Sequence, residues 1–243
     1  MDIVWLAVFS ALLIGYFALE GFDLGVGLLL PFLGRDRDRR DAMIGAIAPF
    51  VLANEVWLVA LAGVLFGVYP SLEAEVLLAL YPLVVVMLLS WVLRDAGLWF
   101  RRRIPAQGWR SFWEFAIFIG SLGLALGWGM ALFALATGSL SWTGLALGGF
   151  VAVAFAYHGW TFLGRRLTSF PGGGSPWLSA VLAAAPAVIV LVGAAGYLLE
   201  HSAPSATLTT LGLMVVPFAP IMVGAQVLVW RTFGKADRMP SFF

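Results

Sequence analysis

The chain has 243 residues, of which 62% are hydrophobic and only 11% are charged. A soluble domain is about half apolar and about a quarter charged, so this composition indicates an integral membrane protein. The absence of cysteine excludes disulfides, thiolate metal sites and iron–sulfur clusters, and the two histidines argue against a metal or haem centre built within this chain. The net charge of +1 indicates nothing about partners.

Seven apolar runs are long enough to span a membrane, since a helix needs about 20 residues to cross a core of roughly 30 Å. They cover residues 3–30, 43–69, 74–98, 112–137, 142–163, 177–199 and 207–230. The first run has no basic segment before it and no small-residue cleavage site after it, so we interpret it as a mature helix. The sequence therefore predicts an all-α integral membrane protein of about seven transmembrane helices. We expect a four-helix bundle over 1–138 and a shorter three-helix bundle with a cytoplasmic tail over 139–243.

Basic residues alternate between successive loops, which sets the predicted orientation. Lys and Arg are concentrated in the 34–42, 100–111 and 164–176 loops and in the C-terminal tail, which carries Lys235 and Arg238. The intervening loops and the N-terminal end carry none. Because cytoplasmic loops hold the excess of Lys and Arg, the N-terminus is predicted outside and the C-terminus in the cytoplasm.

Two carboxylates interrupt the first run, within the sequence EGFDLGVG at 20–27. Glu20 and Asp23 are three residues apart, so they share a helix face. An ionisable residue at membrane depth is expensive and is by default a candidate functional group with a partner. Counting about 1.5 Å per residue along each helix places both acids near the cytoplasmic side. The same count places four more polar residues in that layer, namely Arg94, Asp95, Glu114 and His158.

A second polar pair lies in the second run. Asn54 and Glu55 come about twelve residues after Met43, so the rise per residue predicts them near mid-membrane. An unpaired Glu there costs roughly several kcal/mol or is neutral, which favours a functional role for the pair. Trp57 lies on the face of Asn54 and is either a functional residue or ordinary core packing.

The first-run acids have a structural alternative. Glu20, Asp23 and Arg94 either lock the helices together as an ion-pair network or handle protons, because two carboxylates on one face repel and one of them can carry a proton. Glu114 and Asp95 are better explained as solvated charges at helix ends.

Small residues and a lone histidine complete the candidates. Gly21, Gly25 and Gly27 have the spacing that allows close helix packing. We also expect glycines and other small residues on helices one, two and five to mark an interface with a partner. His158 is better explained as a hydrogen-bonded interior histidine than as a metal ligand, and no metal ligand is assigned in this chain.

Glycines and polar residues recur in a fixed order through the first half of the chain. The stretch IGYFALEGFDLGVGLLLPFLGR (14–35) is similar to the first helix of subunit II of cytochrome bd-type quinol oxidases, where DGFDLGVG is usually followed by PFLGR. Three more stretches resemble the second, third and fourth helices of that family: RRDAMIGAIAPFVLANEVWL (39–58), LRDAGLWFR (93–101) and WRSFWEFAIFIGS (109–121). Weaker matches are FAYHGWTFLGRR (155–166) and WRTFG (230–234).

This resemblance implies a role in respiration. Subunit II of the family pairs with a larger subunit I that carries the b- and d-type haems and the quinol site, and it ligates no haem itself. The complex oxidises quinol, reduces dioxygen to water and takes protons from the cytoplasm. The resemblance also implies a bacterial or archaeal cytoplasmic membrane, a possible small single-helix subunit, lipid and quinone as neighbours, and no nucleic acid. It makes proton-path candidates of Glu20, Asp23, Asn54, Glu55, Arg94, Glu114 and His158, and makes Trp57 an oxygen-path or packing candidate.

Three departures from the family pattern matter. The first-helix Asp is Glu20 here, which keeps the charge. The Trp-Asp-Gly of the second helix is replaced by Val51, Leu52 and Ala53, so the proton route that uses that acid in family members is in doubt. Glu55 is three residues further on, about 300° round the helix. The family usually has eight or nine helices, so we expect a short, atypical member whose electron acceptor need not be dioxygen.

Two other functions compete with that of an oxidase subunit. A proton-coupled transporter would also use intramembrane carboxylates and broken helices, but it predicts an inverted repeat, and the two halves of this chain contain no convincing one. A structural scaffold in a quinol-oxidising complex with a different acceptor would use the polar residues only for assembly. Substitution of the acids separates these hypotheses, because a proton path predicts lost turnover with intact assembly.

Overall fold

The computed structural model describes residues 1–168, 170 and 172–234 and forms ten helices from them. No strand occurs among those residues. In chain order the helices are α1 (Asp2–Leu33), α2 (Arg37–Ile47), α3 (Val51–Val68), α4 (Pro70–Ala79), α5 (Tyr81–Phe100), α6 (Gln107–Thr137), α7 (Trp142–Arg166), α8 (Pro176–Glu200), α9 (Ser205–Val215) and α10 (Ala219–Phe233).

Six of these helices are long and apolar enough to cross a membrane on their own: α1, α3, α5, α6, α7 and α8. The pair α9 and α10 is bent by 42° at a short break and makes a seventh span if it is counted as one. The predicted all-α membrane fold with about seven spans is therefore confirmed within the described part of the chain.

Three of the predicted runs are interrupted where a proline occurs. Pro49 separates α2 from α3, Pro82 is the second residue of α5, and Pro217 lies between α9 and α10. Proline donates no backbone hydrogen bond and disfavours helical geometry in the residue before it, so a helix ends there or begins again. The candidate membrane-spanning helix of the second run consequently begins at Val51 and not at Met43.

Helix α1 lies at the centre of the fold and contacts α3, α6, α7 and α8. Phe17 and Leu24 of α1 are fully buried, as are Phe155 of α7 and Ala183 of α8 in the same core. The predicted boundary at residue 138 stays a prediction, and α1 packs against helices on both sides of it. A helix surrounded in this way can bury polar side chains that a lipid-facing helix would expose.

The basic loops meet at one end of the molecule, which we term the arginine-rich end. Arg37 of α2 donates a hydrogen bond of 3.5 Å to the carbonyl oxygen of Pro105, and the guanidinium of Arg39 lies 4.4 Å from the ring centre of Phe170. At the opposite end, the indole of Trp5 donates a hydrogen bond of 3.2 Å to the carbonyl oxygen of Leu208. The orientation of these ends across the membrane stays a prediction. Lys235 and Arg238 lie outside the described residues.

Candidate functional site

The two acids of the EGFDLGVG stretch lie inside α1 and point into the protein. Glu20 and Asp23 are each only 1% exposed. Both side chains are enclosed because α1 has neighbouring helices on several sides. Removing a carboxylate from water is strongly unfavourable unless a partner or a proton compensates its charge. The partners of these acids therefore define the site.

Arg94 of α5 is the central cation of the site. Its guanidinium forms ion pairs with Glu20 of α1 and Glu55 of α3, and its Nε donates a hydrogen bond of 2.9 Å to Asp95. Arg94 is 2% exposed, so the pairs with Glu20 and Glu55 are shielded from solvent. The indole of Trp91 donates a further hydrogen bond of 2.9 Å to Glu55. A planar guanidinium with five donors suits this multiple pairing.

Asp23 is held by a neutral side chain. The amide of Asn54 donates hydrogen bonds of 2.7 Å to a carboxylate oxygen of Asp23 and of 3.0 Å to the carbonyl oxygen of Leu19. Gln226 of α10 donates to the Asn54 carbonyl oxygen at 2.9 Å and accepts from the indole of Trp57 at 3.2 Å. A chain of hydrogen bonds thus runs from Trp57 through Gln226 and Asn54 to Asp23. We call this set the acidic network: Glu20, Asp23, Asn54, Glu55, Arg94 and Gln226.

The acidic network contains more carboxyl groups than cations. Glu20, Asp23 and Glu55 are all buried, and Arg94 is the only cation among the six residues. One carboxylate oxygen of Glu20 and one of Asp23 are buried with no hydrogen-bond partner among the described residues. Such an arrangement can accommodate a proton on an acid that the arginine does not neutralise.

The predicted separation in depth between the two acidic pairs is wrong. Asn54 and Glu55 were expected near mid-membrane, yet they contact Asp23 and Arg94 and lie at the same level as the α1 acids. The reason is the break at Pro49, because α3 begins at Val51, so that Asn54 and Glu55 are its fourth and fifth residues and do not lie in the middle of a longer helix.

Glu114 is buried, so the expectation that it is a solvated charge at a helix end is wrong. It lies in a group of charged residues separate from that of Arg94. Glu114 is 7% exposed and pairs with Arg40 at 2.7 Å and with Arg101 at 3.2 Å. Arg101 and Arg110 also pair with Asp41. Glu114 is therefore a buried anion between α2, α6 and the end of α5. We call this group the arginine cluster: Arg40, Asp41, Arg101, Arg110 and Glu114.

Asp41 has a lowered pKa within the arginine cluster. Partial burial raises the pKa of this carboxyl, but hydrogen bonds and positive charge from Arg101 and Arg110 outweigh burial, so the net shift is downward. A lowered pKa in the folded state means that the ionised Asp41 stabilises the fold, and that this contribution disappears as the pH falls through the folded pKa.

Asp41→Asn is expected to lower the melting temperature of the detergent-solubilised protein by roughly 2 °C near neutral pH. The difference should be complete above about pH 4, the ordinary value for Asp, and should vanish at lower pH where wild-type Asp41 is protonated as well. Asp38→Asn, at an exposed acid in the first turn of the same helix, is the control for loss of a charge that the helix dipole alone stabilises, and its effect should be smaller. A wild-type-to-variant difference that persists unchanged to about pH 2 would contradict the ion pairing of Asp41.

His158 of α7 is engaged away from the carboxylates. Its Nδ1 is 2.8 Å from the hydroxyl of Ser179, and its Nε2 is 2.9 Å from the carbonyl oxygen of Ala18. The imidazole also lies edge-on to the ring of Phe22, with 5.8 Å between ring centres. These contacts are those of a hydrogen-bonded interior histidine. No three His, Asp or Glu side chains of the described ranges come together in an arrangement suited to a metal ion.

The three predicted packing glycines lie at contacts within this chain. A Cβ atom on Gly25 would lie 1.9 Å from the carbonyl oxygen of Phe155 in α7, where α1 passes Gly159. A Cβ on Gly27 would lie 2.1 Å from the Ser121 hydroxyl, and one on Gly21 would lie 3.0 Å from the Phe155 ring. The expectation that small residues on the first and fifth spans mark a partner interface is wrong at these positions.

Sequence reasoning missed three residues that complete the site. Gln226, Trp91 and Ser179 hold Asn54, Glu55 and His158 respectively. A signal existed for Gln226, which is the only strongly polar side chain between Pro217 and Trp230 and is 7% exposed. No comparable signal existed for Trp91, because the chain contains eleven tryptophans.

Comparisons with known proteins identify the family of this chain. The family model described as cytochrome bd terminal oxidase subunit II matches residues 1–200. The cytochrome bd-I ubiquinol oxidase subunit 2 of Escherichia coli K12 is 38% identical over 130 residues, which are 51% of this chain and 34% of that protein.

Two further relatives give the same result. The cytochrome bd ubiquinol oxidase subunit 2 of Bacillus subtilis 168 is 38% identical over 119 residues, or 49% of this chain and 35% of that protein. A probable cytochrome oxidase subunit 2 of Haemophilus influenzae is 36% identical over 128 residues, or 53% and 34%. The matched part thus spans about a third of the length of these relatives. Because the family model covers most of the chain, the protein belongs to the cytochrome bd terminal oxidase subunit II family.

Proposed function

We propose that this chain, a multi-pass protein of the bacterial cytoplasmic membrane, acts as the second subunit of a quinol oxidase. It would assemble with a haem-bearing subunit I, and the complex would oxidise quinol and reduce dioxygen to water. Support comes from the family membership and from relatives named as ubiquinol oxidase subunits. A small single-helix subunit, lipid and quinone remain further proposed neighbours.

We assign the b- and d-type haems of such a complex to the partner subunit. The chain has no cysteine and two histidines. Both ring nitrogens of His158 are within hydrogen-bonding distance of groups of this chain, so that imidazole offers no free nitrogen to an iron. The residues described here therefore do not fit haem ligation by His158. The buried polar groups of this chain are therefore the candidates for its contribution to the activity of the complex.

The observation that carries the proposed role is the environment of Asp23. This acid is 1% exposed, its hydrogen-bond partner is the neutral amide of Asn54, and one of its carboxylate oxygens has no partner. Arg94 is instead paired with Glu20 and Glu55. An acid buried without a cation of its own is suited to binding and releasing a proton. We propose that the acidic network passes protons towards the partner, with Asp23 as the group that changes protonation.

The predicted topology gives this route a direction. The acidic network lies nearer the arginine-rich end, which the charge distribution of the loops predicts to be cytoplasmic. Proton uptake would then occur from the cytoplasm. Leu52, at the position of the family's second-helix acid, is 59% exposed, whereas Glu55 is 8% exposed on another face of α3. Glu55 therefore does not occupy the position of that acid, and we assign the proposed route to the α1 acids Glu20 and Asp23.

Trp57 is better supported as a packing residue than as part of an oxygen path. Its indole is hydrogen-bonded to Gln226. A Cβ atom on Gly15 would lie only 2.4 Å from the ring of Trp57, so the indole is fitted closely against α1. We propose that Trp57 fixes α3 and α10 against α1 and thereby orients the amide chain that ends at Asp23.

Asp23→Asn is expected to slow quinol-dependent oxygen consumption by about tenfold, which corresponds to an added barrier of about 1.4 kcal/mol. Asparagine keeps the size and hydrogen-bonding capacity of the side chain but cannot carry the proton. Assembly with the haem-bearing partner should be retained, because Asp23 makes no ion pair with Arg94. The measurement is turnover per haem in the purified complex, with Asp38→Asn as an exposed control that should leave turnover unchanged.

A scaffold function is the second candidate, and a specific observation favours it. Arg94 joins α5 to α1 and α3 through buried ion pairs, which is what a structural clamp requires. The two candidates give opposite results for the same variant. Normal turnover per haem in Asp23→Asn, together with reduced recovery of the complex, would replace proton transfer by a purely structural role.

A further inference from the structure

A cavity at the arginine-rich end has no part in the proposed proton route. It lies between the end of α1, the start of α2 and the start of α6, and its volume is about 180 Å³. One ordered water needs only about 10–15 Å³ of such space, so the cavity can hold a group far larger than a single water. Its walls contain four arginines and two acids: Arg35, Arg37, Arg40, Arg110, Asp36 and Glu114.

The charges of this cavity favour an anion. Four guanidinium groups against two carboxylates give a formal charge of +2 from the lining residues. The acids are already engaged, since Glu114 pairs with Arg40 and Arg101, and Asp36 caps α2 by accepting from the backbone of Arg39 at 2.8 Å. Arg35 and Arg37 are exposed at the opening. Arginine is the side chain best suited to bind phosphate, because its planar donors can bind two oxygens at once.

Aromatic side chains lie close in sequence to residues that line this cavity. Phe32 of α1 is 70% exposed and precedes Arg35 by three residues, while Phe115 of α6 is 60% exposed and follows Glu114 directly. Phe118 lies between them, 6.1 Å from Phe32 and 6.3 Å from Phe115 between ring centres. An aromatic strip on α1 and α6 thus lies within four residues in sequence of Arg35 and Glu114, which line the basic cavity. This pairing of surfaces matches a molecule with an anionic head and an apolar tail.

We propose that this cavity binds the phosphate group of an anionic phospholipid, whose acyl chains lie along the aromatic strip formed by Phe32, Phe115 and Phe118. Arg35 and Arg37 supply positive charge at the opening, whereas Arg40 and Arg110 at the base are already paired with Glu114 and Asp41 and offer only their remaining N–H donors. A soluble phosphate could satisfy the arginines, but it would leave the aromatic strip unused. This lipid site is independent of quinol oxidation and of the protonation of Asp23.

The test is native mass spectrometry of the full chain in detergent, together with any subunit that co-purifies, during titration with dioleoylphosphatidylglycerol. We expect tight binding to the wild-type protein and weaker binding to the double variant Arg35→Gln/Arg37→Gln. The loss should be about fivefold for each arginine, the fold-change that corresponds to about 1 kcal/mol. Both side chains are exposed, so the double variant should fold normally. Arg165→Gln removes one exposed arginine from a different basic loop and is the control for the loss of one positive charge, to be compared with the loss per arginine in the double variant.

Four results would overturn the proposal. Equal affinity of wild-type and double-variant protein for phosphatidylglycerol would exclude the cavity as the binding site. A loss of affinity in Arg165→Gln as large as the loss per arginine in the double variant would indicate diffuse attraction to the basic surface. Displacement of the lipid by inorganic phosphate at concentrations equal to those of the lipid would identify a soluble phosphate as the ligand. Dioleoylphosphatidylcholine, which carries the same acyl chains without net charge, should bind weakly to all of the proteins, and tight binding of that lipid would also exclude charge recognition.

Discussion

Arg94→Gln is expected to destabilise the folded chain by about 3–5 kcal/mol, the usual effect of removing one partner from a buried ion pair. The substitution leaves Glu20 and Glu55 without the cation that both contact. At 1% and 8% exposure, neither carboxylate can recover that energy from water. The measurement is the yield and melting temperature of the detergent-solubilised protein, and we expect little folded material at the growth temperature.

A second substitution tests whether charge, and not the shape of Arg94, causes this loss. Adding Glu20→Gln to Arg94→Gln should recover part of the stability, because the double variant buries one uncompensated charge fewer. Asp95→Asn is the control, since its side chain is 26% exposed and water can solvate its neighbourhood. If Arg94→Gln is as stable as Asp95→Asn, the ion pairs of Arg94 contribute little and the clamp of α1, α3 and α5 must be apolar.

The existence of the acidic network was predictable because charge inside a membrane protein is costly. Arg94 is the only basic residue within the seven apolar runs, and Glu20 is an acid on the central helix. Each requires compensation, so grouping them in one layer followed from energetics and helix geometry alone. The specific pairing of Arg94 with Glu55 did not follow, because a count of residues assigned Glu55 a different depth.

The depth error arises from one proline. Ala48, Pro49 and Phe50 are apolar, so hydropathy treats them as the interior of a single span. The missing backbone donor of Pro49 instead allows the chain to turn, and a new helix, α3, begins with Asn54 and Glu55 as its fourth and fifth residues. A break of this kind changes the depth of the residues that follow it without changing the apolar composition of the run. Apolar runs therefore predict how many spans exist better than they predict where each begins.

The burial of Glu114 could not be predicted for a different reason. Its position in the first turns of α6 suits a solvated charge, and only tertiary contacts decide otherwise. Arg40 comes from α2 and Arg101 from the residue after α5, so the partners of Glu114 depend on how two loops pack together. Loop packing has no periodic signal in the sequence. Gln226 itself stands out as a polar residue in an apolar helix, but its contact with Asn54 could not be predicted, because the two residues are 172 positions apart.

Gly25→Ala is expected to be nearly as disruptive as the loss of Arg94, although it adds a single methyl group. The added Cβ would lie 1.9 Å from the carbonyl oxygen of Phe155, 2.6 Å from its carbonyl carbon and 2.9 Å from the nitrogen of Gly159. All three atoms belong to backbone, which cannot rotate away as a side chain can. The helices α1 and α7 would have to separate, at a cost of about 1–3 kcal/mol or more for overpacking. Because α1 is central, this separation would also disturb its contacts with α3 and α8.

Two glycines of α7 provide a matched comparison, because one lies at the crossing with α1 and the other does not. Gly159→Ala approaches the same crossing from the other side, with its Cβ 2.5 Å from Gly25 backbone atoms, and should cost as much as Gly25→Ala. Gly149→Ala lies in the same helix with no atom within 4 Å of its Cβ, and it should be neutral or stabilising by up to about 1 kcal/mol because alanine favours helix. Melting temperatures of the three variants decide the matter. Equal melting temperatures for Gly149→Ala and Gly159→Ala would mean that α1 and α7 do not cross at Gly25. The acidic network would then lie at a different position relative to α7.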